Sequence, residues 1–299
     1  MSPCQTLSRG RRPRRLSVLA VCVIALSALL LPWQFAVASE DPAAKTPAVS
    51  LNSPEGGDGV GPMAEVEACV RDNAPRRTME HEARVTTLDK TGADRTLEWK
   101  LYWKRDKQGL SRIFLRVEAP FDLRGASVLL IERDDRADDM WMYLPELEKV
   151  RRISSRTISG SLFGTDFSYE DIQRLQVGFN DATGRRLPDA EVDSRPVYVV
   201  EVTPGPELKS RYSRIVSYID REYCVPLKTE FFEDSDVARK IMTIDPKKVS
   251  REANSWIPRE VVLRDLDRET ETRLVVAEIE IDGDIPDRRF TQTQLARGR

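Results

Sequence analysis

The sequence predicts a mainly β protein built on one curved antiparallel sheet. Three observations carry that prediction. From Arg77 onward, apolar and polar residues alternate over most of the chain, the period-two pattern of strands with one buried face. Turns rich in Asp, Pro and Gly separate most of the alternating runs at hairpin spacing. Helical signals are few and short. The result is roughly ten or eleven strands in a meander. A sheet that wide must curl as it twists. Full closure gives a barrel, partial closure with a helix across the opening gives a half-barrel, and either has a concave face.

The chain opens on an export signal. Arg9, Arg11, Arg12, Arg14 and Arg15 form a basic start, Leu16–Leu31 is apolar or small throughout, and Ala36-Val37-Ala38 fits a small-x-small cleavage site. The cut is expected after Ala38 and places the protein in the periplasm; retention as an anchor is the alternative, although the run is shorter than a spanning helix needs. Loss of five arginines takes the formal charge from −2 to −7, which speaks against a nucleic-acid partner. Residues 39–61 are small, polar and rich in Pro and Gly, and read as a flexible linker.

Of the four cysteines, Cys69 and Cys224 remain after export. An even pair in an oxidising compartment favours a bridge, with two buried thiols as the alternative. Residues 62–285 form the predicted domain and 286–299 a C-terminal tail. Within the domain, Pro62–Asp72 is a short helix ended by Asn73-Ala74-Pro75. Strands follow over Arg77–Asp89, Thr96–Arg105, Ser111–Glu118, Ala126–Arg133 and Met140–Leu144. A later series covers Pro196–Thr203, Tyr212–Asp220, Val225–Phe232, Val237–Ile244, Trp256–Leu266 and Thr272–Ile281. Alternation is consistent with Trp99, Trp103, Phe114, Tyr198, Tyr218, Phe231 and Trp256 facing inward.

The organising stretch is Asp139–Asp171. Met140–Leu144, with Trp141 and Tyr143, is a strand of large apolar residues closed by Pro145. Lys149, Arg151, Arg152 and Arg156 follow with little acid between them. Ile158–Phe167 then sets Leu162, Phe163 and Phe167 beside Gly160 and Gly164. Bulky apolar side chains on a glycine-bearing loop suit a flap over an apolar cavity. Burial of Leu162 and Phe163 in the sheet core would speak against such a flap. Ser168-Tyr169-Glu170-Asp171 fits a capping box and opens a helix through Leu175. The arginines have two readings: a contact for lipid phosphate or an acidic partner, or a solvated face paired with Glu146, Glu148 and the 134–139 loop.

This stretch resembles the outer-membrane lipoprotein-sorting proteins, relatives of the periplasmic lipoprotein carriers. The resemblance rests on Met140-Trp141-Met142-Tyr143-Leu144-Pro145, on Val150-Arg151-Arg152-Ile153, and on Ser161 with Gly164-Thr165-Asp166-Phe167-Ser168-Tyr169-Glu170-Asp171. Cys69 and Cys224-Val225-Pro226-Leu227-Lys228 support it. It implies a half-barrel around an apolar cavity, helices as lid or plug, and carriage of lipoprotein acyl chains or other lipids. An inner-membrane exporter and an outer-membrane acceptor are the partners such a carrier needs. The expected cavity and lid residues are Trp99, Trp103, Phe114, Trp141, Tyr143, Leu162, Phe163, Phe167 and Phe231. Arg151, Arg152 and Arg156 are the expected contacts for a headgroup or partner.

Catalysis finds little support. His81 is the only histidine and sits in a strand pattern. There is no nucleophile elbow, Cys-x-x-Cys pair or phosphate loop, and the 134–139 acids lack calcium-loop spacing. No cofactor or metal is expected, and a monomer is. The competing function is a non-catalytic envelope binding or scaffold protein, or an accessory subunit of a lipid exporter.

Overall fold

A computed structural model describes residues 49–51, 61–177, 182–205 and 210–297. The expected signal and its cleavage site lie outside the described residues. The strands are β1 (Val49–Leu51), β2 (Thr78–Leu88), β3 (Asp94–Arg105), β4 (Ser111–Ala119), β5 (Ser127–Ile131), β6 (Asp139–Leu144), β7 (Lys149–Arg152), β8 (Ala182–Val192), β9 (Arg195–Pro204), β10 (Arg214–Asp220), β11 (Pro226–Phe232), β12 (Lys240–Thr243), β13 (Val249–Glu252), β14 (Ser255–Pro258), β15 (Glu260–Asp265) and β16 (Thr270–Ile281). The helices are α1 (Met63–Asn73), α2 (Tyr169–Val177) and α3 (Gln292–Ala296).

One antiparallel, unclosed 14-stranded sheet dominates, in the order β1-β8-β9-β10-β11-β12-β15-β16-β2-β3-β4-β5-β6-β7; β13 and β14 form a separate hairpin. After β1, the chain enters mid-sheet at β2 and meanders out to β7. It then crosses to β8 at the far side and meanders back until β16 pairs with β2. Half of the sheet is thus built before the crossover and half after it. The crossover is the segment that the sequence marks as the flap.

The strand count exceeds the expected ten or eleven. β7 is a short, mostly exposed run of basic residues, and β8 reads as loop because it carries Gly184, Pro188 and several charges. Pro258 divides the expected Trp256–Leu266 strand into β14 and β15. β1 lies within the expected linker and pairs with β8.

Period two gives the sheet two apolar faces. On the inner face, Leu97, Trp99, Leu101 and Trp103 of β3 pack with Val85, Ile113, Leu115, Val128 and Leu130, and beyond them Ile215, Phe231, Met242 and Leu263. Val200, Val202 and Ile219 continue this face beneath Val66 of α1. The outer face carries two separate clusters. Tyr102, Phe114, Leu129 and Tyr143 pack under Ile285, Phe290 and Leu295, so the expected C-terminal tail covers sheet. Val199, Val216, Leu227 and Phe232 form the other.

The Cys69–Cys224 bridge forms, with Cα atoms 5.4 Å apart, and ties α1 to the turn after β10. Asn73 closes α1 onto β14: its amide donates to the Trp256 carbonyl (3.1 Å) and its oxygen accepts from the Trp256 N–H (2.6 Å).

Candidate functional site

The inner face is the candidate site. Its floor is the β3 row, with Trp99 and Trp103 both buried. Leu162, Phe163 and Phe167 of the crossover pack directly into this floor cluster. The Leu162 N–H donates to the Phe167 carbonyl (2.7 Å) and the Ser161 hydroxyl to the Thr165 carbonyl (2.6 Å). Phe163 and Gly164 both hold left-handed backbone, φ 53° and 86°. Such geometry is uncommon for a bulky residue and ordinary for glycine.

Polar bonds bolt this turn to the sheet. The Asp166 carboxylate accepts from Thr270 (2.5 Å) and Thr272 (2.8 Å) of β16. Lys240 of β12 donates to the Asp166 carbonyl (2.6 Å) and the Asp171 carboxylate (2.9 Å). Tyr212 donates to the other Asp171 oxygen (2.8 Å), and its hydroxyl is held protonated by burial and by the Asp171 charge. The capping box forms as expected: the Ser168 N–H donates to Asp171 (2.7 Å) and the Asp171 N–H to Ser168 (3.0 Å). Asp166, Asp171, Thr272 and Lys240 are all buried.

This arrangement counts against the free flap expected from the sequence. Leu162 and Phe163 lie in the sheet core, where a sheet of this width requires apolar filling, and in this structure the segment sits as a plug hydrogen-bonded to the sheet. Gly164 supplies the turn.

A different part of the inner face stays open. Along β16, Leu274, Val276, Ile279 and Ile281 point inward by register, opposite Val85, Ala83, His81 and Met79 of β2. Val261 of β15 stands opposite Leu274. Met79, Val261, Leu274, Val276, Ile279 and Ile281 are only half-buried. This strip starts next to Thr272, to which the plug is bonded, and follows β16 to Ile281. His81 beside it is buried, and burial pulls its imidazole down to about 4, so it is neutral near pH 7.

The remaining expected residues divide. Phe231 lies on the inner face against Tyr212, with ring centroids 5.1 Å apart. Phe114, Trp141 and Tyr143 belong to the outer cluster and do not line the inner face. The reason is parity: Phe114 sits one residue from inward-facing Ile113 and Leu115. Arg151 and Arg156 are exposed, and Arg152 donates to Asp139 (2.7 Å). Asp139 also holds Arg136 (2.6 Å) and Arg133 (2.8 Å). Chiefly the Arg136 hydrogen bond, with Arg133 adding to it, holds this buried carboxyl at about 2.

Sequence reasoning missed the Asp166–Thr272–Lys240 contacts, the role of the β16 strip, and Arg133 and Arg136 at Asp139. Only the strip left a signal, in the alternation of β16. Among the described residues, no group of His, Cys, Asp or Glu could hold a metal ion. No helix among them is long and apolar enough to cross a membrane.

A family model described as "Uncharacterized protein" matches residues 109–297. The chain belongs to that family. No curated protein matches it. Solved structures do. A DUF1329 family protein from Desulfovibrio piger is 23% identical with a TM-score of 0.71, over 78% of this chain and 98% of that one. A putative outer membrane lipoprotein-sorting protein domain from Vibrio parahaemolyticus is 22% identical with a TM-score of 0.71, over 78% and 97%. A LolA superfamily protein from Nitrosomonas europaea is 19% identical with a TM-score of 0.62, over 77% and 97%. The fold expected from the resemblance of the central stretch is borne out, and what the chain shares with these structures is the unclosed β-sheet with short helices.

Proposed function

We propose that the protein is a non-enzymatic periplasmic carrier that holds lipoprotein acyl chains or other lipids on the inner face of its half-barrel. The observation that carries this reading is the half-exposed strip of Met79, Val261, Leu274, Val276, Ile279 and Ile281. It continues the buried apolar face that the plug covers. Exposed hydrocarbon costs about 0.8 kcal/mol per methylene, so a carrier needs an apolar path of this kind that can be entered without unfolding. The lipoprotein-sorting fold and the signal-like first 38 residues support the reading.

The bolted plug favours a second reading, a non-catalytic envelope binding or scaffold protein that holds no cargo. Native mass spectrometry with lipid extraction separates the two. The variants belong on the strip, Val276→Glu and Ile279→Glu, because a charge at Trp99 or Trp103 would enter the closed core. The expected result is copurifying lipid in the wild type and its loss from the folded variants. A wild type that stays empty after incubation with lipid vesicles overturns the carrier.

A further inference from the structure

Antiparallel pairing sends every second connection to the same end of a sheet. Residues 89–93, 120–126, 145–148, 233–239 and 266–269 join β2 to β3, β4 to β5, β6 to β7, β11 to β12 and β15 to β16. The register places all five turns at one end. That rim holds an uneven share of the exposed apolar surface. Among the described residues six large hydrophobic side chains are exposed, and four of them, Phe121, Leu147, Val237 and Leu266, stand on these turns. The other two lie apart, Val70 on α1 and Val275 on β16. A single exposed apolar residue needs no explanation. Four on one rim do, with Phe121 88% exposed and Val237 72% exposed.

These side chains stand on hydrogen-bonded turns. Beside Phe121, the Leu123 N–H donates to the Pro120 carbonyl (3.1 Å) and Arg124 Nε to the Glu118 carbonyl (2.9 Å). The Glu148 N–H donates to the Pro145 carbonyl (3.2 Å) and closes the turn that bears Leu147. The Val237 N–H donates to the Ser235 hydroxyl (3.1 Å). The Leu266 N–H donates to the Arg239 carbonyl (3.0 Å), which joins the last two turns to each other. A side chain held out in this way loses little freedom when a partner covers it. From β12 to β6 the rim spans eight neighbouring strands, about 34 Å along the sheet. A standard protein interface covers about 800 Å² of each partner, a patch of similar width.

Charge decides what covers the rim. The five turns hold nine acidic residues and four basic ones, a net −5. Asp122, Glu146, Asp236 and Asp267 directly adjoin Phe121, Leu147, Val237 and Leu266. Such a surface is repelled by an anionic bilayer and attracted to a basic protein face. We propose that this rim docks a protein partner whose contact surface is basic and socketed for apolar side chains, with Phe121 and Val237 as its anchors. The plug is bonded at the same end, through Thr270 and Lys240 that directly follow two of the turns, so the docked partner sits beside it. The docking surface is independent of whether the inner face carries lipid.

The test is photocrosslinking of the full chain in its own cells. Benzoylphenylalanine replaces Phe121, Leu147, Val237 or Leu266, and in control variants Lys107 or Gln108, exposed in the turn between β3 and β4 at the opposite end. Mass spectrometry of the adducts identifies the linked peptide. The expected result is one protein linked from the rim positions and not from the controls, through a peptide of net positive charge. Glu146→Lys,Asp234→Lys,Glu269→Lys reverses three exposed acids and is expected to cut the adduct at position 121 about tenfold, with circular dichroism to verify folding. Adducts from no rim position, or equally from the controls, overturn the docking surface. A link through an acidic peptide, a link to a second copy of this chain, or an adduct indifferent to the charge reversal overturns the basic partner. Flotation of the purified protein with phosphatidylglycerol vesicles, lost in Phe121→Asp,Val237→Asp, overturns the protein partner in favour of a bilayer.

Discussion

Lys240 Nζ lies 2.9 Å from Asp171 Oδ2, with both side chains buried between the crossover and β12. The lysine also binds the Asp166 carbonyl. One ion pair thereby fixes the plug to the half of the sheet built after it. Removing one partner of a buried pair strands the other charge and costs about 3–5 kcal/mol. Lys240→Met is expected to lower the stability measured in urea by that amount. Lys240→Met,Asp171→Asn is expected to recover part of it, because no buried charge is left alone.

Asp139 gathers Arg133, Arg136 and Arg152 at one end of β6. Its carboxyl stands at about 2, below the ordinary 3.8, chiefly through the Arg136 hydrogen bond. A depressed carboxyl adds stability that is complete above the unfolded value and is lost as pH falls through the folded one. The contribution is at most about 2 kcal/mol because its arginine partners face solvent. Acid unfolding should therefore steepen between about pH 4 and pH 2. Asp139→Asn should remove that component and leave three guanidinium groups with a neutral partner. A variant with an unchanged acid profile would show that the cluster is electrostatically idle.

His81 provides a second pH signature, of opposite origin. Burial lowers its imidazole to about 4 from an ordinary 6.5. The unfolded chain thus takes up a proton before the folded one does. Stability is full above about pH 6.5 and declines to about pH 4, by about 3 kcal/mol in all. As the only histidine in the chain, it can be followed unambiguously by NMR. A ring titrating near 4 in wild type, with a flatter stability profile for His81→Leu over this window, is the expected outcome. A titration near 6.5 would mean that the inner face at His81 is wet.

The parts legible in the sequence were those governed by short-range periodicity. Leu97-Trp99-Leu101-Trp103 identified an inward row because period two needs no long-range information, and Ser168–Asp171 identified a helix start because a capping box is local. Phe114 was misplaced by one step of the same period, since Ile113, Phe114 and Leu115 are all apolar and both faces of β4 are covered. The plug could not be distinguished from a lid. Leu162, Phe163 and Phe167 look alike in either role, and what decides is Asp166 meeting Thr270 and Thr272 over 100 residues away. β8 escaped because its charges and Pro188 carry no alternation, while its pairing with β9 supplies the order that its sequence lacks.

Phe114 also shows why the chain's last residues matter. On the outer face, Phe114, Leu129 and Tyr143 are covered by Ile285, Phe290 and Leu295. Arg116 donates to the Gln294 and Leu295 carbonyls, and Ser127 donates to the latter at 3.0 Å. These donors answer the carbonyls that the end of so short a helix leaves open. Deleting residues 286–299 uncovers aromatic surface and leaves the Arg116 guanidinium without those acceptors. A loss of about 3–5 kcal/mol is expected, since removing even one fully buried large side chain costs about that much. Increased binding of a hydrophobic dye should accompany it. The inner face is untouched by this deletion, so lipid retention should persist in whatever fraction stays folded. Loss of lipid in step with loss of the segment, at unchanged stability, would instead place the C-terminal residues in the binding path.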